Sequence, residues 1–408
     1  MNRMITFRLF LLLLLLLLDV YIFFVLKAVT HNWNTLYKNL LLIFHVALSL
    51  ITFLLLFSFQ EFETPFRNYI FSLLIAIIIG KVIMGLFFIT DDIRRGIVWS
   101  GRQIGNSSSE GTKISRSTFI SWLGIVMGSA FIGSIIYGFS NKYDYKIHRH
   151  TMRFPNLPQS FKGLKIVQIS DVHMGSLENK EAVSKGIDMI LNEKPDLILF
   201  TGDLVNDQSA ELNAYKNIFS RLKAPLGVYS VLGNHDYGDY HVWDSEEDKK
   251  LNLQTLKDIQ KDMGWRLLMN EHIVFDRNGE KIALLGIENW GAKGRFPKYG
   301  KLNVAHAGTE NIPFKILMSH DPSHWDAEVN TKYKDIDLML SGHTHGMQYG
   351  VEIGNLKWSP LQFMYDQWGG KYQKGNQVLY VNRGFGFIGY SGRFGILPEI
   401  TVIELTNK

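Results

Sequence analysis

The sequence predicts two architectures in one chain: an all-α region of four transmembrane helices over residues 1–140, then a linker at 141–160 and an α/β domain over 161–408. The first sign is a set of apolar runs, each long enough to cross a hydrocarbon core of about 30 Å at roughly 1.5 Å per residue. The second is that short β-rich runs beyond Leu164 alternate with segments of helical period, the signature of an α/β sheet. The third is where those runs stop, one after another at Asp, Asn or His. A chain of 408 residues has room for two or three domains. Cys is absent, which excludes disulfides and thiolate metal sites, and a net charge of +5 makes no case for a nucleic-acid partner.

The expected membrane spans run from about Leu9 to Leu26, Leu40 to Phe59, Tyr69 to Ile89 and Phe119 to Phe139. Arg3 and Arg8 before a leucine run imitate a secretion signal, but no small-residue cleavage site follows and the run continues through "VYIFFVL". An uncleaved anchor is therefore expected. Gly124 and Gly128 stand in GxxxG spacing, which permits close helix approach and also matches the ordinary glycine content of membrane helices.

Asp19, His45 and Lys81 lie inside these spans, where charge is costly unless partnered. The first and third spans run in the same direction, and the depths of Asp19 and Lys81 differ by only about 3 Å at helical rise. This predicts an Asp19–Lys81 pair, weighed evenly against independent snorkelling or neutral side chains. Lys and Arg near the span ends divide equally between the two faces, so the sequence does not orient the protein.

In the second half, "LKIVQIS" ends in Asp171-Val172-His173 and "DLILF" in Thr201-Gly202-Asp203. "GVYSVL" ends in Gly233-Asn234-His235-Asp236, "FKILMS" in His320-Asp321, and "IDLML" in Ser341-Gly342-His343-Thr344-His345. Loops at the carboxyl ends of α/β strands converge, so these side chains are placed to share one site. The donors are oxygen and imidazole nitrogen, which suits divalent Mn, Fe or Zn, and a structural zinc finger is disfavoured by the lack of thiolate. Just past a strand end, residues i and i+2 converge on one centre, the spacing of Asp171 with His173 and of His343 with His345. A carboxylate such as Asp203 has two oxygens and can bridge two cations; a pair about 3.5–4 Å apart would hold both oxygens of an in-line displacement at phosphorus.

"SDVHMG", "GDLV", "GNHDYG", "SHDP" and "GHTHG", in that order, resemble the calcineurin-like metallophosphoesterases over about residues 160–408. The start "LPQSFKGLKIVQISDVHMG" and the late "NRGFG" and "RFGILPEITVIEL" resemble a bacterial membrane-associated phosphodiesterase subgroup. The resemblance implies a two-sheet sandwich flanked by helices. It implies two divalent metal ions (Mn, Fe, Zn or Mg), the first held by Asp171, His173, Asp203 and His345, the second by Asp203, Asn234, His320 and His343. His235 becomes the catalytic imidazole that protonates the leaving oxygen, with metal-bound hydroxide as nucleophile. Asp236 is expected to orient His235 by accepting its other ring proton. The implied protein is a multi-pass hydrolase of the bacterial inner membrane acting on a phosphodiester or pyrophosphate, small molecule or lipid. UDP-2,3-diacylglucosamine, of lipid A biosynthesis, is one candidate.

Two departures matter. The subgroup has Gly where this chain has Met347, a side chain that either narrows the phosphate pocket or covers it. "GDLVNDQ" lacks the arginine of the protein-phosphatase "GDxxDRG", which argues against a phosphoprotein substrate. A competing reading is a non-catalytic metal-folded scaffold or sensor; the presence of His235 beside Asn234 weighs against it. His241, His272 and His324 fit no motif, so structural or solvent roles are expected. The stretch 289–301, with Trp290, Phe296, Tyr299, Lys293, Arg295, Lys298 and Lys301, reads equally as a membrane-surface contact or a solvated basic loop. The aromatic stretch 358–370, including Trp368, reads as a channel for an amphiphilic substrate or as core packing.

Overall fold

A computed structural model describes residues 2–58, 61–62, 66–104, 115–294, 296–354 and 356–407. Arg295 thus lies outside the described residues. The chain forms two compact units, Met1–Gly138 and Phe139–Lys408.

The first unit holds α1 (Asn2–Val29), α2 (Thr35–Ser58), α3 (Phe66–Ile104) and α4 (Thr118–Gly138), each long and apolar enough to cross a membrane. Helix α3 continues well beyond Ile89 because its charged continuation satisfies itself one turn along: Asp91 pairs with Arg94 at 2.8 Å and Asp92 with Arg95 at 2.9 Å. Glycines let α3 and α4 approach closely, and a Cβ on Gly128 would stand 2.5 Å from the Gly80 carbonyl oxygen. The GxxxG spacing therefore works here as a packing surface. The expected pair also forms: Nζ of Lys81 lies 2.7 Å from Oδ1 of Asp19.

The second unit is a sandwich of two six-stranded sheets. In spatial order the first contains β1 (Lys146–Arg153), β14 (Glu399–Thr406), β2 (Lys165–Ile169), β3 (Leu197–Phe200), β4 (Val228–Ser230) and β5 (Arg266–Leu267). The second contains β12 (Gly370–Lys374), β13 (Gln377–Val381), β9 (Leu338–Ser341), β8 (Phe314–Met318), β7 (Glu280–Gly286) and β6 (Glu271–Arg277). A small hairpin joins β10 (Val351–Ile353) to β11 (Leu356–Trp358).

Strand alternation builds the layers. On β3, Leu197 and Leu199 enter the core between the sheets, with Ile316, Leu338 and Leu340 opposite, while Ile198 and Phe200 face outward. That outer face is covered by Val183, Ile187 and Ile190 of helix Lys180–Asn192 and by Leu256 of helix Glu246–Asp262. Ser245 caps the latter by accepting from the Asp248 amide, and three acidic residues occupy its first turn, where the helix dipole favours them. Leu285, Leu317 and Met339 make the corresponding outer face of the second sheet, beneath Trp325 and Leu302. These buried strands therefore contribute to two apolar layers, which is why β3 and β9 read as nearly continuous apolar runs, and β2 and β8 do so apart from the buried Gln168 and Lys315.

The linker expected at 141–160 is corrected. It contains β1, which pairs in parallel with β14 from Lys146↔Glu399 to Arg153↔Thr406. As an edge strand most of its side chains reach solvent, so "KIHRHTMR" shows no apolar run; Met152 alone enters the inter-sheet core.

Candidate metal centre

The ends of β2, β3, β4, β8 and β9 converge as their order in the two sheets requires. Two groups form: donor atoms of Asp171, His173 and His345 lie within 4.8 Å of one another, and so do those of Asp203, His320 and His343. Nε2 of His345 is 3.3 Å from Oδ1 of Asp171, and Nε2 of His320 is 3.1 Å from Oδ2 of Asp203. The groups adjoin at Asp203, whose Oδ2 is also 3.6 Å from Nε2 of His173. Asn234 joins the second group through Oδ1, 2.8 Å from Nδ1 of His343.

This convergence is held by unusual backbone. Asp171, His173, Asp203, His343 and His345 all adopt left-handed φ, between 49° and 70°. Such conformations cost side-chain-bearing residues roughly 1–3 kcal/mol each and concentrate at functional sites. Close approach adds a demand for glycine: the His343 amide donates to Asp171, and a Cβ on Gly342 would stand 2.1 Å from Oδ2 of that carboxylate.

The donors fit cations. Buried polar atoms are normally hydrogen-bonded, yet among the described residues both ring nitrogens of His173 and Nε2 of His345 have no such partner. Nδ1–H of His320 donates to the Thr201 carbonyl at 2.7 Å, leaving its Nε2 for the carboxylate side. Nε2 of His343 lies 3.1 Å from the Tyr365 hydroxyl, which donates to Asp321 at 3.4 Å, while Nδ2 of Asn234 donates to Tyr240 at 2.9 Å. These orientations bring two acceptors, Oδ1 of Asn234 and Nδ1 of His343, face to face, an arrangement a cation relieves. Burial keeps His343 neutral by lowering its pKa, as a ligand imidazole requires. Burial also opposes ionisation of Asp171, but His345 and His320 outweigh it and hold the carboxyl down at about 2. Burial disfavours charge on His320 too, but Asp203 overcomes this and raises the imidazole to about 10, so cation binding at that pair displaces a proton.

His235 stands beside this centre. Its amide donates to Oδ1 of Asp203 at 2.9 Å, and its Nδ1 lies 2.7 Å from the Asn206 carbonyl. The expectation that Asp236 orients this ring is corrected. The carboxylate of Asp236 turns away and accepts the amides of Asp203, Leu204 and Gly233 at 2.8–2.9 Å. Those loop amides need a buried acceptor, and the adjacent imidazole already has one in the Asn206 carbonyl.

A cleft of about 280 Å³ opens over these side chains, rimmed by Tyr240, Phe296 and Ile388. Phe296 meets His343 edge-on at 4.8 Å, so this residue of the aromatic and basic stretch supplies one wall. Met347 is outside the cleft lining and is half-exposed, so it does not narrow the pocket. Trp368 packs with Leu361, Tyr365 and Ile396 in a buried cluster, which assigns that part of 358–370 to the core. His324 bonds Ser319 and Glu328, His272 the Ala305 carbonyl and His241 Gln208, all apart from the metal groups. Asn206, Tyr365, Tyr240 and Arg393, whose guanidinium is 3.2 Å from Nδ1 of His345, lie near the centre without any motif in the sequence to mark them.

A strand-end cluster of carboxylates, imidazoles and one carboxamide beneath an open cleft defines a metal-dependent hydrolase of phosphoric esters. Family models agree: residues 164–347 match the calcineurin-like phosphoesterase, and residues 2–142 match "Probable Calcineurin-like phosphoesterase, transmembrane domain". The chain is 30% identical over 303 residues to the uncharacterized metallophosphoesterase YkuE of Bacillus subtilis, covering 72% of this chain and 99% of the relative. It is 27% identical to the phosphodiesterase YaeI of Escherichia coli, covering 64% of this chain and 88% of that protein. It is 30% identical to a zebrafish (Danio rerio) transmembrane protein with a metallophosphoesterase domain, covering 61% of this chain and 54% of that one. The chain belongs to the calcineurin-like metallophosphoesterases, as a membrane-associated member.

Proposed function

We propose that this protein hydrolyses a phosphodiester or pyrophosphate bond with two divalent ions. Asp171, His173, Asp203 and His345 would hold the first and Asp203, Asn234, His320 and His343 the second. When bound, the ions supply charge neutralisation at the phosphoryl oxygens and ready ionisation of the attacking water. The protein's own part is positional and acid–base. Asp203 ties the two groups together, Tyr365 and Thr201 fix the ring orientations of His343 and His320, and the Asn206 carbonyl holds Nδ1–H of His235. Nε2 of His235 then serves the cleft, giving its proton to the leaving oxygen as the ester bond breaks.

The observation that carries this reading is the pair of donor groups meeting at Asp203, with an independently anchored imidazole beside them. The phosphodiester choice is supported by the name of the Escherichia coli relative and by "GDLVNDQ" in place of the protein-phosphatase motif. The membrane unit supports an amphiphilic substrate such as UDP-2,3-diacylglucosamine at a bacterial inner membrane. The test is the full-length protein in detergent with Mn, Fe, Zn or Mg, assayed on a phosphate monoester, a phosphodiester and a nucleotide-linked lipid. The diester or nucleotide-linked lipid should outperform the monoester, and His235→Ala should lower turnover by about 10²–10⁴-fold with its metal content retained. A metal-loaded His235→Ala protein as active as the parent overturns the mechanism.

A further inference from the structure

The β10–β11 hairpin turns Glu352 and Lys357 toward the domain, where they meet Arg383 and Trp368, and its other face, with the turn that follows, is apolar. That turn is anchored by Leu361, packed with Tyr365, Trp368 and Ile396. The apolar face leaves Ile353 72%, Leu356 61%, Phe363 81% and Met364 63% exposed. Ile353 and Leu356 are direct partners at the tip of the β10–β11 hairpin, and Phe363 and Met364 follow in the next turn. A hairpin facing only water places polar residues on its outer side. Apolar surface of several hundred Å² in one patch marks a binding surface instead.

We propose that this patch docks into the surface of a lipid bilayer. Only residues 139–145 separate the last membrane-crossing helix from β1, so the domain works within reach of lipid. The composition selects the hydrocarbon boundary over charged headgroups. Of the nearby lysines, Lys293 donates to the Met364 carbonyl at 2.6 Å and pairs with Asp366, and Lys357 lies over the Trp368 ring. Asp366 offsets the charge of Lys293, and Glu352 that of Arg383. A zwitterionic bilayer therefore suffices, and high salt leaves the contact intact. Docking has a direct consequence for the centre: Tyr365 follows Met364 in the chain, and its hydroxyl reaches His343. The docked segment is thereby joined through Tyr365 to a residue of the centre, whichever phosphoric ester the enzyme cleaves.

The chain has no cysteine, so Phe363→Cys and Ile353→Cys each create a unique labelling position. The experiment attaches an environment-sensitive fluorophore to each, in the full-length protein reconstituted into phosphatidylcholine nanodiscs. The expected result is blue-shifted emission, loss of intensity with nitroxide-labelled acyl chains, and protection from aqueous iodide. Leu251→Cys, at a 65% exposed position on helix Glu246–Asp262, should show the reverse. Iodide access at Phe363 and Ile353 equal to that at Leu251 overturns the proposal, as does lipid quenching equal at all three. Shielding from both quenchers also overturns it and places the patch against protein, this chain or a second copy, in place of lipid. None of these readouts depends on hydrolysis, so the docking surface and the catalytic reading stand or fall separately.

Discussion

Nζ of Lys81 stands 2.7 Å from Oδ1 of Asp19, with both side chains buried in the membrane unit. Ser49 completes the cluster by donating to the same Oδ1 at 2.9 Å, and His45 reaches the Asp19 carbonyl at 3.0 Å. Three helices are thereby registered at one depth.

Lys81→Met should strand a buried carboxylate and destabilise the unit by about 3–5 kcal/mol, the usual cost of breaking a buried pair from one side. Asp19→Asn combined with Lys81→Met removes both charges and should recover most of that loss. Unfolding of the full-length protein in mixed detergent measures both. Unchanged stability in Lys81→Met would show that the pair does not hold the bundle.

Asp236→Asn separates the expected role of this residue from the observed one. Oδ2 accepts the amides of Asp203 and Gly233 while Oδ1 accepts that of Leu204. An asparagine keeps one acceptor oxygen and turns its own N–H donors toward amides that also donate. Each amide left without an acceptor costs roughly 1–3 kcal/mol. The variant should therefore lose thermal stability and metal content together. A normally stable, metal-loaded Asp236→Asn protein with depressed turnover would restore the idea that Asp236 acts through His235.

Tyr365→Phe removes the hydroxyl 3.1 Å from Nε2 of His343 without changing ring volume. Groups that orient a ligand imidazole ordinarily contribute about 10–100-fold in metal affinity. Chelator competition should show that loss for one ion of the two, and excess metal should restore turnover. Equal affinity for both ions in parent and variant would remove Tyr365 from the support of His343.

The strand ends were legible because a fully buried strand writes itself as a continuous apolar run, and the donors follow it within a few residues. What long-range contact alone supplies was not. Asp171 and His345 face each other only once the sheets pack, and Tyr365 reaches His343 from a segment whose composition reads simply as aromatic. Adjacency misled at Asp236, since neighbours in the tight turn His235–Tyr237 point to different partners. Strand β1 was invisible because its exposed edge demands no apolar pattern, and the continuation of α3 because Asp91 and Asp92 resemble the end of a span.

Met347 stands where the family resemblance implies a glycine, and its backbone conformation is one that suits glycine. Its φ is 58°, a left-handed conformation that costs a side-chain-bearing residue about 1–2 kcal/mol. The side chain is 51% exposed and outside the cleft lining, so it returns little packing in exchange. Met347→Gly relieves the strain but loosens the unfolded chain, an entropic penalty of roughly 0.4–1 kcal/mol. The balance favours glycine by up to about 1.5 kcal/mol, and Met347→Ala, which keeps a Cβ, should gain nothing. Denaturant unfolding ranks the three proteins, and turnover on a soluble diester should be equal among them. A Met347→Gly protein less stable than the parent would mean the methionine side chain contributes more than its exposed position indicates, and a change in turnover would place it in the substrate path after all.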